Sequence, residues 1–240
     1  MASGSLYNNT SASGNARQHN GNVYNTNTNN YNINNQQDAS NPFAQIMSSA
    51  GKSTPLHKAC SKGDENLVGS LLESGANIEA QDGDWMTPLQ VAVLKKKTNV
   101  AGILLGSGAN IEAQCRFWAK SQSPIFLAAW TGSEEMLQLL LDNGADIDET
   151  NLQEMTPLSL AARDGLESVV SFFLGKGADI EANDKDGRTP LWWATLHRHG
   201  KVITELLQRG ASVDVKDRTG RSIKDLARQK QIAPLFKEAL

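Results

Sequence analysis

The stretch Thr54-Pro55-Leu56-His57-Lys58-Ala59 opens a pattern that recurs through the chain with a nearly constant period. Its first three residues return as Thr87-Pro88-Leu89, Ser123-Pro124-Ile125, Thr156-Pro157-Leu158 and Thr189-Pro190-Leu191, and in weaker form as Ser222-Ile223-Lys224. These positions are 33 residues apart, except for one step of 36. A Gly-Ala pair keeps the same spacing, with the same longer step, from Gly75-Ala76 to Gly210-Ala211. Two markers that share one period and one insertion identify an internal repeat.

Each repeat predicts two short helices followed by an extended loop. Thr before Pro is typical of a helix N-cap followed by the first helical residue, where Pro loses no hydrogen bond and has a suitable φ. A second apolar run at helical spacing, such as 66–72, ends before a Gly that can adopt the left-handed conformation. Turn-forming residues follow, as in 77–82, and favour a loop that reaches the next repeat. Because a unit this small cannot bury both helices alone, we expect the units to stack.

In these motifs the chain resembles ankyrin-repeat proteins, whose T-P-L-H-x-A signature is complete in residues 54–59. The resemblance covers about residues 50–240, and it implies an all-α repeat solenoid of helix-turn-helix units with hairpin loops. We expect five full repeats and a shortened sixth at the C-terminus. The family's His connects neighbouring loops by hydrogen bonds. Four units have another residue at this position, so these hydrogen bonds are in doubt there: Gln90, Phe126, Ser159 and Trp192.

The composition changes sharply along the chain and predicts three regions. Residues 1–47 contain 13 Asn and only two charged side chains, Arg17 and Asp38. We expect a disordered Asn-rich tail over 1–41, a linker or N-terminal lid over 42–51, and the repeat domain over 52–240.

Several function classes are disfavoured by the overall composition. The formal net charge of −3 gives no general basic field for nucleic acid or an anionic membrane. No apolar run approaches the roughly 18–20 residues of a membrane span, and no secretory signal is evident. We therefore expect a cytoplasmic protein, with the nucleus as the alternative, and neither nucleic acid nor membrane as its partner.

Catalytic and metal-binding motifs are also missing from the sequence. The two cysteines, Cys60 and Cys115, lack C-x-x-C spacing, and we interpret them as a buried apolar residue and a loop thiol. Gly51-Lys52-Ser53 lacks the earlier Gly of a phosphate-binding loop, and no nucleophile lies in an evident pattern with a base. The acidic residues of the loops recur with the repeat, which favours a structural role. We expect a non-enzymatic protein without cofactor or metal.

The resemblance implies a protein-protein interaction module that binds a protein ligand through the concave face of its first helices and its loop tips. Applying the repeat register, we expect the binding surface to include these residues of the helices, the loop tips, the family's His position and the insertion: Leu94, Lys95, Trp130, Arg163, Leu196, His197, Met86, Met155, Arg188, Trp192, Phe117 and Trp118. Two alternatives stay open. Leu94 and Leu196 could pack between units as ordinary core, and the loop with Phe117 and Trp118 could pack over a neighbouring loop.

The tail offers a second functional hypothesis. Residues 22–34 contain no Pro and no charge and many β-forming residues, which is typical of cross-β stacking with Asn ladders. Residues 13–23 are similar to short amyloid signalling motifs of fungal receptors and their effectors, through Gly14, Ala16, Arg17, Gly21 and Asn22. The default is a flexible solubilising extension. The alternative is a self-assembling signalling adaptor that self-associates through this tail.

Overall fold

A computed structural model of the chain describes residues 53–115 and 122–238. Within these ranges twelve helices follow one another as six pairs. The pairs are α1 (Pro55–Lys62) with α2 (Glu65–Glu73), α3 (Pro88–Leu94) with α4 (Thr98–Gly106), α5 (Pro124–Thr131) with α6 (Glu134–Asp142), α7 (Pro157–Asp164) with α8 (Glu167–Gly175), α9 (Pro190–His197) with α10 (Gly200–Gln208), and α11 (Ile223–Gln229) with α12 (Ala233–Glu238). The predicted all-α repeat architecture is confirmed. The predicted tail, its cross-β segment and the N-terminal lid lie outside the described residues.

The first helix of each full unit begins at the residue that the sequence predicts. Thr54 is the N-cap of α1, and its side chain accepts a hydrogen bond from the backbone N–H of His57, with Pro55 in the first turn. The same arrangement opens α3, α7 and α9 at Thr87, Thr156 and Thr189. Ser123 occupies the N-cap of α5 but donates its hydroxyl to the carboxylate of Glu149. The repeated Thr-Pro pair therefore fixes where these helices start.

The core runs along the stack and is not gathered at a centre. Consecutive first helices pack side by side, as do consecutive second helices. Apolar residues from both sets form one continuous buried cluster through the described units, including Leu89, Leu104, Leu137, Val170 and Leu206. Each unit is stabilised mainly by its two neighbours, which is the physical reason for the repeat.

The recurring acidic loop residues link one loop to the next. Glu79 accepts a hydrogen bond of 2.7 Å from the backbone N–H of Asn110, one unit further along. Asp148 accepts from Asp179 at 3.0 Å, and Glu181 accepts from Ser212 at 2.7 Å. These carboxylates hold successive loops in register, which confirms the structural role predicted for them.

The family's His position is used in two ways along the stack. His57 Nε2 bonds the carbonyl of Met86 at 2.8 Å and so ties the first unit to the next loop. Gln90 donates its amide to the carbonyls of Ala113 at 2.6 Å and Gln122 at 3.1 Å. In the second unit the amide of Gln90 therefore replaces His in forming the hydrogen bonds that hold neighbouring loops together. In the third and fifth units, Phe126 and Trp192 are fully buried and fill volume at this position.

The turn between the two helices of each unit contains one residue in the left-handed region. The first, third and fourth units place Gly there, but the second, fifth and sixth place Lys96, Arg198 and Gln231, with φ of 54°, 64° and 60°. Side chains with a Cβ are strained in this conformation by about 1–2 kcal/mol.

Arg198→Gly should therefore increase the free energy of unfolding by about 0.5–1 kcal/mol, since glycine relieves the strain but loses more entropy on folding. Arg198 is exposed at the C-cap of α9. Urea unfolding followed by circular dichroism measures the change. Arg209→Gly is the control, because Arg209 caps α10 with φ −86° and its substitution should decrease stability. Equal effects at the two positions would contradict a strain-based gain.

Candidate protein-binding surface

A groove runs between the first helices and the hairpin loops. Over the first two units it encloses about 370 Å³, with Ser61, Leu94 and Lys95 on the helix wall and Asp82 and Asp84 on the loop wall. Because the first helices stack side by side, equivalent residues of later units continue the helix wall. We call the outward residues of this wall the groove surface: Lys58, Ser61, Lys62, Leu94, Lys95, Trp130, Thr131, Arg163, Asp164, Trp193, Leu196, His197, Gln229 and Lys230.

Trp130 is the large apolar side chain that stands out on the groove surface. It lies near the C-terminus of α5 and exposes 42% of its area. Its equivalents Leu94 and Leu196 are half-buried and pack against the core. Most of the surface of these two leucines is therefore packed against the core, as the alternative interpretation expects. Trp130 is exposed, as the sequence predicts.

Charged and titratable groups flank Trp130 along the wall. Lys95 is exposed, and Arg163 donates from Nε and Nη2 to both carboxylate oxygens of Asp164, at 2.7 and 3.1 Å. His197 is exposed on α9, where partial burial, followed by the nearby His199 and Arg163, lowers its pKa. The predicted residues Lys95, Trp130, Arg163 and His197 therefore all belong to the groove surface.

Three predicted site residues are buried, and the expectation that they face a ligand is wrong. Met86 and Met155 each precede an N-cap threonine, a position that favours apolar packing against the first helical turn. Trp192 lies fully inside the stack, where the guanidinium of Arg221 is 5.2 Å from the centre of its ring. Trp192 occupies the position equivalent to the buried His57, so its side chain lies in the interior of the stack.

Other apolar residues take the exposed places at the loop tips. Trp85 is 49% exposed and Leu152 is 69% exposed. Sequence reasoning missed both because it chose the methionines next to the N-caps. The signal for Trp85 was its position in the repeat, because the equivalent residues of later units are Gly187 and Gly220, which indicates a turn. All three residues have positive φ, and that of Trp85 is 61°.

Arg188 is half-buried and contributes to the groove through a column of stacked side chains. Its guanidinium lies 5.3 Å from the ring centre of Trp193 and pairs with Asp186 at 3.1 Å. The ring of Trp193 stacks on His197 at 6.1 Å, and its Nε1–H donates to Asp184 at 3.1 Å. Sequence reasoning missed Trp193, although adjacent helix residues lie about 100° apart around the axis, so that Trp192 and Trp193 cannot share one narrow inward stripe.

The three-residue insertion is anchored at its base. Phe117 and Trp118 lie outside the described residues, so their predicted contact with a partner stays a prediction. Cys115 and Gln122 pair through two backbone hydrogen bonds of 3.1 Å across the ends of this loop. Glu149 accepts from Gln114 at 3.0 Å and from Ser123, and its pKa is raised because burial outweighs these bonds.

Both cysteines are buried in the described ranges, and their surroundings can be compared with what a reactive thiol or a metal site requires. Burial raises the pKa of Cys60 to about 12, so this thiol does not ionise near neutral pH. Cys115 lies at the base of the loop, as a loop thiol should, but it is buried there, and its thiol donates to the carbonyl of Gln122 at 3.3 Å. Within 53–115 and 122–238 no three His, Cys, Asp or Glu side chains are grouped as a metal site requires. No helix in these ranges is long and apolar enough to cross a membrane.

Comparison with known proteins agrees with this architecture. The family model described as "Ankyrin repeats (3 copies)" matches residues 19–115 and 122–217. The crystal structure of the ankyrin repeat domain of Bcl-3, described as a unique member of the IkappaB protein family, is similar with a TM-score of 0.71 and 29% identity. The match covers 79% of this chain and 86% of the Bcl-3 chain. No curated protein matches the chain. With its six stacked helix pairs, the chain belongs to the ankyrin-repeat family.

Proposed function

We propose that this protein is a non-enzymatic interaction module that binds a protein ligand on its groove surface, with Trp130 as the central anchor. Lys95, Arg163 and His197 supply polar contacts beside the anchor, and the exposed parts of Leu94 and Leu196 extend its apolar area. Ankyrin repeats are a typical protein-binding fold, so the family and the site lead to the same class of function.

The observation that carries the proposal is the exposure of Trp130. A tryptophan with 42% of its area in water lies on the groove surface, and the neighbouring units place Lys95 and Arg163 on the same wall. Binding energy in protein interfaces is concentrated in a few residues, among which Trp, Tyr and Arg are enriched. Trp130 and Arg163 occupy equivalent positions of neighbouring units, so one ligand segment can contact both.

Selection of binders from a displayed library of random twelve-residue peptides, with the full chain as bait, tests this site. Peptides that bind the groove surface should bind at least about tenfold more weakly to Trp130→Ala, since truncation of a central anchor costs more than 1.4 kcal/mol. Fluorescence anisotropy with synthetic copies of the selected peptides measures the change.

Leu67→Ala is the matched control for this experiment. Leu67 is also an exposed apolar residue, at 40%, but it lies on the second helix α2 and not on the groove wall. Its substitution should leave the peptide affinities within about twofold. If no selected peptide depends on Trp130, or if the two variants lose affinity equally, the groove surface is not the binding site.

A further inference from the structure

We propose that the partner segment is an extended acidic peptide that carries an apolar side chain for Trp130. This inference rests on the proposed function and specifies the chemistry of its ligand. Carboxylates of the segment lie on the lysines of the first two units, and its apolar residue lies on Trp130 in the third.

The groove surface concentrates positive charge in a chain that is acidic overall. It carries five cations, Lys58, Lys62, Lys95, Arg163 and Lys230, against the single carboxylate of Asp164. The whole chain has a formal net charge of −3. Because Asp164 is already bonded to Arg163 through both oxygens, it cannot neutralise the lysines of the other units. The groove surface, with five cations and one carboxylate, therefore has a formal charge of the opposite sign to that of the whole chain.

The lysines of the first two units are available for a ligand. Lys58, Lys62 and Lys95 are exposed, and within the described ranges none of the three forms an ion pair. The same three residues line the groove of the first two units. Ammonium groups that converge on one groove without carboxylate partners favour an anionic ligand.

The loop wall opposite the lysines determines where such a ligand can lie. Asp82 Oδ1 accepts the backbone N–H groups of Asp84 at 2.9 Å and Met86 at 3.0 Å, so this oxygen is engaged within its own turn. Asp84 lines the groove and is exposed. Its carboxylate repels an acidic segment from the loop wall, so the segment lies against the helices. Asp84→Asn should consequently strengthen binding by about twofold, the size of a typical exposed charge interaction.

The spacing of the repeat predicts the spacing of the ligand's side chains. Packed helices lie about 8–10 Å apart, and an extended chain in the polyproline II conformation advances about 3.1 Å per residue and presents every third side chain on the same face. A segment that crosses the first helices therefore advances about three residues per unit. Acidic residues about three positions apart can reach Lys62 and Lys95, and an apolar residue about three positions further reaches Trp130.

The peptides selected with the full chain test the inference separately from the proposed function. Trp130-dependent peptides should be enriched in Asp and Glu about three residues apart, with an apolar residue at the next such step. Trp130-dependent peptides that are neutral or basic would overturn the acidic-partner inference and leave the proposed function intact. The absence of any Trp130-dependent peptide would contradict both.

Charge reversal on the groove wall gives the quantitative test. Binding of the best acidic peptide, measured by anisotropy, should weaken at least about tenfold in Lys62→Glu/Lys95→Glu. Lys176→Glu/Lys201→Glu has the same net charge but changes the C-cap of α8 and the second helix α10, so it should stay within about twofold. Equal loss in both double variants would overturn the inference. So would equally strong competition by a twelve-residue oligothymidylate, because the wall would then be a general polyanion site.

Discussion

Replacing Trp192 with alanine should lower the free energy of unfolding by about 3–5 kcal/mol, the usual cost of truncating a fully buried tryptophan. Trp192 is completely buried on α9, in the core cluster that continues into α11 through Ile223 and Leu226. Removal of the indole leaves a cavity at the contact between the last full unit and the shortened sixth. It also removes the ring on which the guanidinium of Arg221 lies, at 5.2 Å.

The loss should be concentrated at the C-terminal end of the stack, because each unit is stabilised by its neighbours. Urea unfolding monitored by far-ultraviolet circular dichroism gives the free energy without relying on the tryptophan that is removed. Amide hydrogen exchange should show the largest loss of protection in α11, with α3 and α4 little changed. Uniform loss across all units would contradict this local mechanism.

Two other aromatic substitutions calibrate the effect. Trp192→Phe should cost less than about 1.5 kcal/mol, because it keeps a large apolar ring. The third unit already carries a buried phenylalanine, Phe126, at the equivalent position. Trp130→Ala should cost about 1–2.5 kcal/mol, since this ring is 42% exposed and loses less buried area than Trp192. If Trp130→Ala and Trp192→Ala cost the same, the opposite placement of the two tryptophans is incorrect.

The helix boundaries could be predicted because their signals are local. Thr followed by Pro acts on the backbone of the next turn, and the N-caps at Thr54, Thr87, Thr156 and Thr189 follow directly. The inward or outward direction of a side chain could not be predicted equally well. A short first helix contacts the preceding unit, the following unit and its own second helix, so only a narrow stripe remains for solvent. Trp192 and Trp193 are adjacent in the sequence, yet Trp192 is buried and Trp193 is partly exposed.

The loop tips show the same difference between local and non-local information. Apolar character alone favoured Met86, yet its neighbour Trp85 is the exposed residue. Trp85 occupies a turn position with φ 61°, and 49% of its area is exposed. Gln90 gives the complementary case, because its amide meets the carbonyls of Ala113 and Gln122 only after two loops have stacked. Such contacts depend on the assembled units and have no signal within one repeat.

Gly165→Ala should lower the free energy of unfolding by about 3–4 kcal/mol through a combination of backbone strain and collision. Gly165 caps α7 with φ +73°, a conformation that costs a residue with a Cβ about 1–2 kcal/mol. A Cβ at this position would also lie 2.5 Å from Nδ1 and 2.6 Å from Cε1 of His199 in the next unit. The imidazole would have to move, and its Nε2–H would lose the hydrogen bond of 2.9 Å to the carbonyl of Arg163.

Gly132→Ala separates the two contributions, because Gly132 is the equivalent residue of the third unit. It has φ +69°, but a Cβ there meets no atom within 4 Å. Only the backbone cost of about 1–2 kcal/mol should appear in this variant. Equilibrium unfolding in urea compares the two, and equal losses would show that His199 does not oppose the methyl group.

A double-mutant cycle of Gly165→Ala with His199→Ala then isolates the contact between the units. Once the imidazole is absent, the new methyl group has no ring to displace, so the double variant should be more stable than the sum of the single effects by about 1–2 kcal/mol. His199→Ala alone should cost about 0.5–1.5 kcal/mol for its hydrogen bond to the carbonyl of Arg163. Strictly additive effects would mean that the turn of the fourth unit and the imidazole of the fifth are not coupled. A positive coupling energy would show that His199 links the fourth and fifth units. It would also show that the imidazole fits there because residue 165 has no side chain.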